Sequence, residues 1–471
     1  MNEIIETIPI NKGAWAIVKE AVAGSHRDFT QGALGTAIFL LAVPMILEMV
    51  MESVFAVVDI FFVAKLGAEA VAVVGITESM MAIIYAMAMG LGIGATATVA
   101  RRIGEKDSDG AAISAVHVIY LGLIVSSVLG IAGAILAPDF LHLMGASEAA
   151  IIKGGNYTRI MLGGNAVVIF LFLLNAIFRG AGDAAIAMRV LWLANIFNII
   201  LAPCFIFGIW FFPELGVTGA AVGTTIGRGL GVLFAVSQLF RRDARLTIHA
   251  RHLRVIPEML WKLVKLSSAG TLQMVIGTAS WIGLVKIVAG FGSEAVAGYT
   301  IGIRVIVFAL LPSLGLSNAA ATLVGQCLGA GKPERAEQAV WRAAFYNAIF
   351  LTTISLLFIA FAPLIISIFT NEPIVLRYGA DGLRIVASGF LFYAYGMVLE
   401  TSFNGAGDTL TPTYINLFIF WLFEIPLAYI LAYNFELGLY GVFWAITIAF
   451  SMLAVVAAVL FRRGTWKTRI V

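Results

Sequence analysis

Leu351–Phe369 reads LTTISLLFIAFAPLIISIF, nineteen residues without a charge. Ser451–Phe461, SMLAVVAAVLF, is a second such run. At 1.5 Å of rise per residue, a run of roughly 20 residues matches a hydrocarbon core of about 30 Å. A backbone crossing that core must satisfy its own hydrogen bonds, so these runs are expected to be helices. The rest of the 471-residue chain agrees: 61% of it is hydrophobic and only 12% charged. Soluble chains carry about 25% charged residues, so too little polar surface is present to cover a water-soluble body of this size. The mean hydropathy of +0.98 points the same way.

Twelve spans are predicted, at roughly 35–65, 70–99, 112–137, 156–179, 185–211, 216–240, 262–291, 296–325, 338–368, 377–403, 411–433 and 437–461. Positive charge orients them. Arg241, Arg242, Arg245, Arg251 and Arg254 crowd the segment after span 6. Arg101, Arg102 and Lys106 follow span 2, Lys332 and Arg335 follow span 8, and Arg462, Arg463, Lys467 and Arg469 end the chain. The intervening loops carry few basic residues, Lys65 and Lys153 being the main exceptions. The positive-inside rule therefore places both termini and the central linker in the cytoplasm of a multi-pass inner-membrane protein. No secretory signal is read ahead of span 1. The organisation expected is a cytoplasmic segment 1–34, a lobe 35–240, a basic linker 241–261, a second lobe 262–461 and a tail 462–471. The stretch around Trp15, Ile17, Val18 and Val22 is a candidate interfacial helix.

The two halves repeat. LGAEAVAVVGI from Leu66 returns as FGSEAVAGYTI from Phe291, and FRGAGDA from Phe178 returns as FNGAGDT from Phe403, both at one common offset along the chain. PELGVTGAA from Pro213 returns as FELGLYGVF from Phe435, at a slightly shorter offset that marks a small deletion. Each half holds six spans, so both start on one side and form parallel repeats about an axis along the membrane normal. Gly90, Gly92 and Gly94, with Gly315 as the counterpart of Gly90, imply close helix packing. GLGIGA follows no strand and lies within a span, which argues against nucleotide binding. Cys204 and Cys327 sit in apolar runs and read as small buried hydrophobes.

Charges within the spans are informative, because each costs roughly 2.5–3.5 kcal/mol at a helix centre. Glu48, Glu52 and Asp59 lie in span 1, within about 40° of one another around the helix. Such a stripe must face a partner or a watery cavity. Carboxylates crowded at low dielectric resist ionising together, which suits a group that loads and releases H⁺ or Na⁺. Arg228, Arg304 and Lys286 are the cations available to neutralise it. Pro44 precedes the stripe and is a candidate helix-bending residue. Glu400, at the repeat position of Asn175, and Glu424 are candidates for a second acidic site in the other lobe. His117 reads as a packing residue. Glu78 and Arg384 read as solvated or snorkelling near span ends, and Asp183 and Asp408 as caps of the helices after the GAGD turns.

No HExxH, GxSxG, Walker A or CxxC pattern occurs, and no polar stretch is long enough for a nucleotide domain. A transporter driven by an ion gradient is therefore expected, with no enzyme activity, no cofactor beyond the coupling ion, and no nucleotide or nucleic-acid partner.

VPMILEMVMESVFAVVDIFFVAKLG from Val43, GLGIGATATVARRIG from Gly90, NAIFRGAGD from Asn175, NIFNIILAPCFIFG from Asn195 and GAGDTLTP from Gly405 together resemble the multidrug and toxic compound extrusion (MATE) transporters, and their spacing is closest to the DinF-like branch. The resemblance covers nearly the whole chain. It implies an all-α protein of twelve transmembrane helices, arranged as a V-shaped pair of six-helix lobes around a central cavity. It also implies export of organic, often cationic and amphiphilic, compounds in exchange for H⁺ or Na⁺; a monomer in the bilayer is the oligomeric state expected. Carried over by motif, Asp59, Tyr157, Asn175 and Asn198 match the cation-coupling cluster, with a Na⁺ site at Asp59, Asn175 and Asn198. The cluster's second aspartate, before the proline of span 5, is replaced by Ala202. Glu48 and Glu52 are the acids expected to substitute for it, so neutralising both should abolish coupling. The alternative is a flippase for a lipid-linked saccharide or lipid, which favours a cationic cavity.

Overall fold

A computed structural model describes residues 14–241 and 245–469. Positions 1–13 of the predicted N-terminal segment, 242–244 of the linker and 470–471 of the tail lie outside the described residues. The described chain is helical, with no strand. The N-terminal stretch does form a helix, α1 (Ala14–Ala23). Span 1 is α2 (Leu34–Ala64), followed by α3 (Ala68–Gly104) and α4 (Ser108–Leu143). The fourth span is two helices, α5 (Glu148–Gly163) and α6 (Asn165–Ala181), jointed at Gly164. α7 (Ala184–Phe207) and α8 (Val217–Leu239) complete the first six spans. The second six begin with α9 (Pro257–Ala289), α10 (Ser293–Gly329) and α11 (Pro333–Ser367). The tenth span is α12 (Pro373–Ala387) and α13 (Phe390–Gly405), bent by 60°. Its joint includes Gly389, the counterpart of Gly164, so the repeat reproduces the break.

The eleventh span is irregular. α14 (Leu410–Asn416) leads into a π-helical segment, Leu417–Glu424, then α15 (Ile425–Tyr429) and a second π segment, Ile430–Asn434. α16 (Leu439–Arg462) is the last span. Among the described residues, eleven helices are long and apolar enough to cross a membrane, or twelve with the bent pair taken as one span. Their outward faces carry Ile131, Ile135, Leu356 and Leu364, each more than 60% exposed. Exposed aliphatic surface on that scale belongs against lipid. The short α1 packs on α2 and α7.

One apolar core fills the first half and takes in Leu246 and Ile248 of the linker and Leu263 of α9, and another lies within the second half, between Leu284 and Ile446. A third joins the first half of α2, from Leu34 to Met45, to α10, α11 and α13. α2 thus packs on α10, and by the same internal symmetry α9 packs on α3. Glycine sets both crossings: a methyl at Gly90 would strike the backbone of Thr271, and one at Gly315 the backbone of Met45 and Ile46. Without a hydrophobic drive between helices in lipid, such backbone-to-backbone approach supplies the dispersion contact.

The described parts of both ends of the chain and of the linker meet at one end of the bundle. There Arg245 donates to the carbonyl of Ser25 (2.8 Å) and faces Asp183 (3.5 Å). Arg469 faces Asp408 (3.3 Å), while Arg101 donates to the carbonyl of Arg469 (2.7 Å). Asp183 stands before α7 without a side-chain cap bond, and Thr409 separates Asp408 from α14. The expected caps are therefore ion-pair anchors. The glycine between each GAGD alanine and aspartate, Gly182 or Gly407, has a positive φ (87° and 84°), which ends the preceding helix in the left-handed conformation glycine tolerates.

Candidate functional site

The three acids of α2 share a face, but their surroundings differ. Glu48, 2% exposed, accepts from Asn175 Nδ2 (3.0 Å) and pairs with Arg179 (2.9 Å). Glu52, one turn on, accepts from Asn195 Nδ2 (3.1 Å) and lies 3.7 Å from Arg228. Asp59 and Glu52 line a cavity of about 340 Å³. Arg304 and Lys286 are exposed on other faces. Arg179, read in sequence only as part of a repeated turn, supplies the charge instead.

The cavity lies in the half of the molecule away from the linker. Besides Glu52 and Asp59 it is walled by Glu78, Tyr85, Tyr157, Thr224 and Arg228, and by the apolar side chains of Phe55, Val74, Met89, Met161 and Phe172. Glu78 corrects the sequence reading: its exposure is to this cavity, and it interacts electrostatically with Asp59. α3 begins at Ala68, which sets Glu78 about three turns inside the span. The signal was legible in the α2–α3 hairpin. Asp59 stands six positions before Lys65 and Glu78 ten after Ala68, so their depths differ by about 6 Å.

Arg228 is the cation of this site. It is 3% exposed, donates to the Tyr85 hydroxyl (3.1 Å) and lies over the rings of Phe55 (5.4 Å) and Tyr85 (5.8 Å). Three carboxyls therefore face one guanidinium. They ring the space without converging: among the described residues, no three His, Cys, Asp or Glu groups are placed to hold one metal ion.

Of the other predicted cluster residues, Tyr157 lines the cavity and Asn175 and Asn198 do not. Asn175 is engaged with Glu48, and Asn198 is 1% exposed with its Nδ2 unpartnered among the described residues. Ala202 packs under Gly223, and α2 runs unbroken through Pro44. His117 is a packing residue as expected: its Nδ1 meets the carbonyl of Ile113 (2.7 Å) and its Nε2 accepts from the Ile256 amide (2.7 Å).

The second half answers the first unevenly. Glu400 accepts from Gln273 (2.7 Å) and Asn416 (2.8 Å). Gln273 and Glu400 are the repeat counterparts of Glu48 and Asn175, so the same hydrogen bond recurs with acid and amide exchanged. Glu424 lies apart in its own surroundings. The cavity has no acidic counterpart: the positions of Asp59, Glu78 and Arg228 are taken by Leu284, Ile303 and Phe450, all packed in the second half's core.

The MatE family pattern matches residues 44–204 and 271–430. The probable multidrug resistance protein YoeA of Bacillus subtilis is 27% identical, over 88% of this chain and 90% of that protein. The probable multidrug resistance protein NorM of Thermotoga maritima is 26% identical, over 92% and 93%. A solved structure described as an outward-facing conformation of a multidrug resistance MATE family transporter aligns with a TM-score of 0.88 and 28% identity, covering 94% of this chain and 98% of that one.

Proposed function

This chain belongs to the MatE family, and we propose that it is a secondary active exporter, moving organic cations across the cell membrane in exchange for H⁺ or Na⁺. The observation that carries the reading is the cavity of Asp59, Glu78 and Glu52 facing the single buried Arg228. Ionised together, these carboxyls leave the cavity short of positive charge at low dielectric, where an unbalanced charge is costly. A cargo cation and a coupling cation each restore the balance, and the two compete for the same carboxyls. Phe55, Tyr85, Tyr157 and Phe172 supply aromatic wall for the apolar part of an amphiphilic cation. A cavity suited to pyrophosphate would have the opposite balance, so the flippase reading is set aside.

The positive-inside rule supports a cytoplasmic linker end. That end is tied shut by the Arg245, Arg469 and Arg101 contacts, and the cavity lies in the opposite half. This conformation is then outward-facing, and the cycle requires the linker end to part.

The test uses purified protein in liposomes loaded with a fluorescent organic cation, with efflux followed under a pH gradient and then a Na⁺ gradient. Gradient-driven efflux is expected, falling at least tenfold in Asp59→Asn and in Glu78→Gln. Efflux unchanged in both variants would remove the cavity from coupling. No efflux under either gradient would sink the exporter reading.

A further inference from the structure

Glu424 ends the first π segment of the eleventh span and is 2% exposed. Among the described residues, neither of its oxygens accepts a hydrogen bond or an ion pair. The titratable side chains that interact with it are Tyr299 of α10 and Tyr393 of α13. The Tyr393 hydroxyl donates to the carbonyl of Ile446 (3.3 Å). The Tyr299 hydroxyl, on a side chain 2% exposed, is buried with no partner among the described residues. A carboxylate anion with no counter-charge is costly in a membrane interior, whereas a neutral carboxyl carries no net charge to desolvate.

The backbone carries the second observation. The amides of Leu215 and Gly216 bond the carbonyls of Phe205 and Ile206, and the amides of Leu437 and Gly438 bond those of Leu431 and Ala432. These pairs identify Phe205 with Leu431, one residue further apart than the GAGD turns that precede both spans. The eleventh span thus holds one residue more than α7 and absorbs it as π winding, a feature frequent at functional sites. Counted back from the matched pair, Glu424 falls at the position of Asn198.

We propose that Glu424 is a proton-binding site of the second half, loaded in this conformation and discharged when the eleventh span rewinds and brings the carboxyl to water. It rests on the exporter reading above and adds a proton site separate from the Asp59 cavity. On loading, one proton joins a carboxylate oxygen and leaves a neutral carboxyl within the electrostatic reach of Tyr299 and Tyr393. On release the proton passes to water and the hydrated carboxylate remains until the span closes.

Infrared difference spectra of the full chain in liposomes at neutral pH test the site directly. A protonated-carboxyl stretch is expected in wild type and in Asp59→Asn, and its loss in Glu424→Gln. Tyr299→Phe should shift that band without removing it, which keeps the test open if Glu424→Gln fails to fold. In the efflux assay, Glu424→Gln should move one proton fewer per cargo cation. A carboxyl band that survives Glu424→Gln, or an unchanged proton-to-cargo ratio, would overturn the proposal. The spectrum does not depend on cargo, so absence of efflux in wild type refutes the exporter reading and leaves the band to decide the proton site.

Discussion

Glu48 and Glu52 stand one turn apart on α2 and meet different cations. Glu48 is closed off by Arg179 and Asn175, and Glu52 opens to the Asp59 cavity. Breaking a buried pair leaves one charge uncompensated and costs about 3–5 kcal/mol, while replacing both partners is often near neutral. Glu48→Ala should therefore lower the melting temperature in detergent markedly. Glu48→Gln combined with Arg179→Met should recover most of that loss. Equal destabilisation by the single and double variants would show that the pair itself adds little. The acid stripe was legible in sequence because charges in an apolar run stand out. Arg179 was not, because its place beside the GAGD turn gives it an obvious role as a loop cation.

At the scale of elements, α2 against α10 and α9 against α3 form one kind of contact made twice. Gly315 permits the first and Gly90 the second. The added bulk of Gly315→Val meets backbone on the facing helix, so neither side can yield by changing a rotamer. Overpacking of this kind typically costs about 1–3 kcal/mol, about a 5- to 150-fold change in a conformational equilibrium. A lower melting temperature and slower efflux are expected. Gly277→Ala, facing open space in α9, is the control and should leave both unchanged. A Gly315→Val protein that melts like wild type would show that the α2–α10 crossing is looser than its geometry implies. The glycines were readable as close-packing signals, but which helix each one meets was not.

At the scale of the whole molecule, the linker end is held by arginines on the described segments after each half. Arg245 faces Asp183, and Arg469 faces Asp408. Lys332 and Arg335 hold the carbonyls of Thr30 and Gly32, both at 3.0 Å, and so fasten the N-terminal segment over α10 and α11. Cys327 lies beneath that segment, fully buried. Ion pairs of this length, one of them with a half-exposed arginine, contribute up to about 1 kcal/mol each, so removing two carboxylates should favour parting of this end severalfold. The expected outcome for Asp183→Ala with Asp408→Ala, in a Cys204→Ala background, is correspondingly faster labelling of Cys327 by a polar maleimide. Labelling at the rate of the intact protein would mean that apolar packing alone keeps the end closed.

Sequence by itself determined the twelve spans, the tandem repeat, the shared side of the termini and the acid stripe of α2. Each follows from a one-dimensional quantity: run length against bilayer thickness, charge at loop positions, or a fixed offset between similar segments. The common repeat offset even held the Glu48–Asn175 and Gln273–Glu400 exchange. Only the tertiary structure decided that Glu78, not Glu48, shares the cavity with Asp59, and that Arg228 faces them. It alone showed that the equivalent space in the second half is filled by Leu284, Ile303 and Phe450. Hydropathy gives a residue's depth, whereas its lateral neighbours depend on how each helix is rotated and tilted against the others. Those angles are set by side-chain packing between segments far apart in the chain.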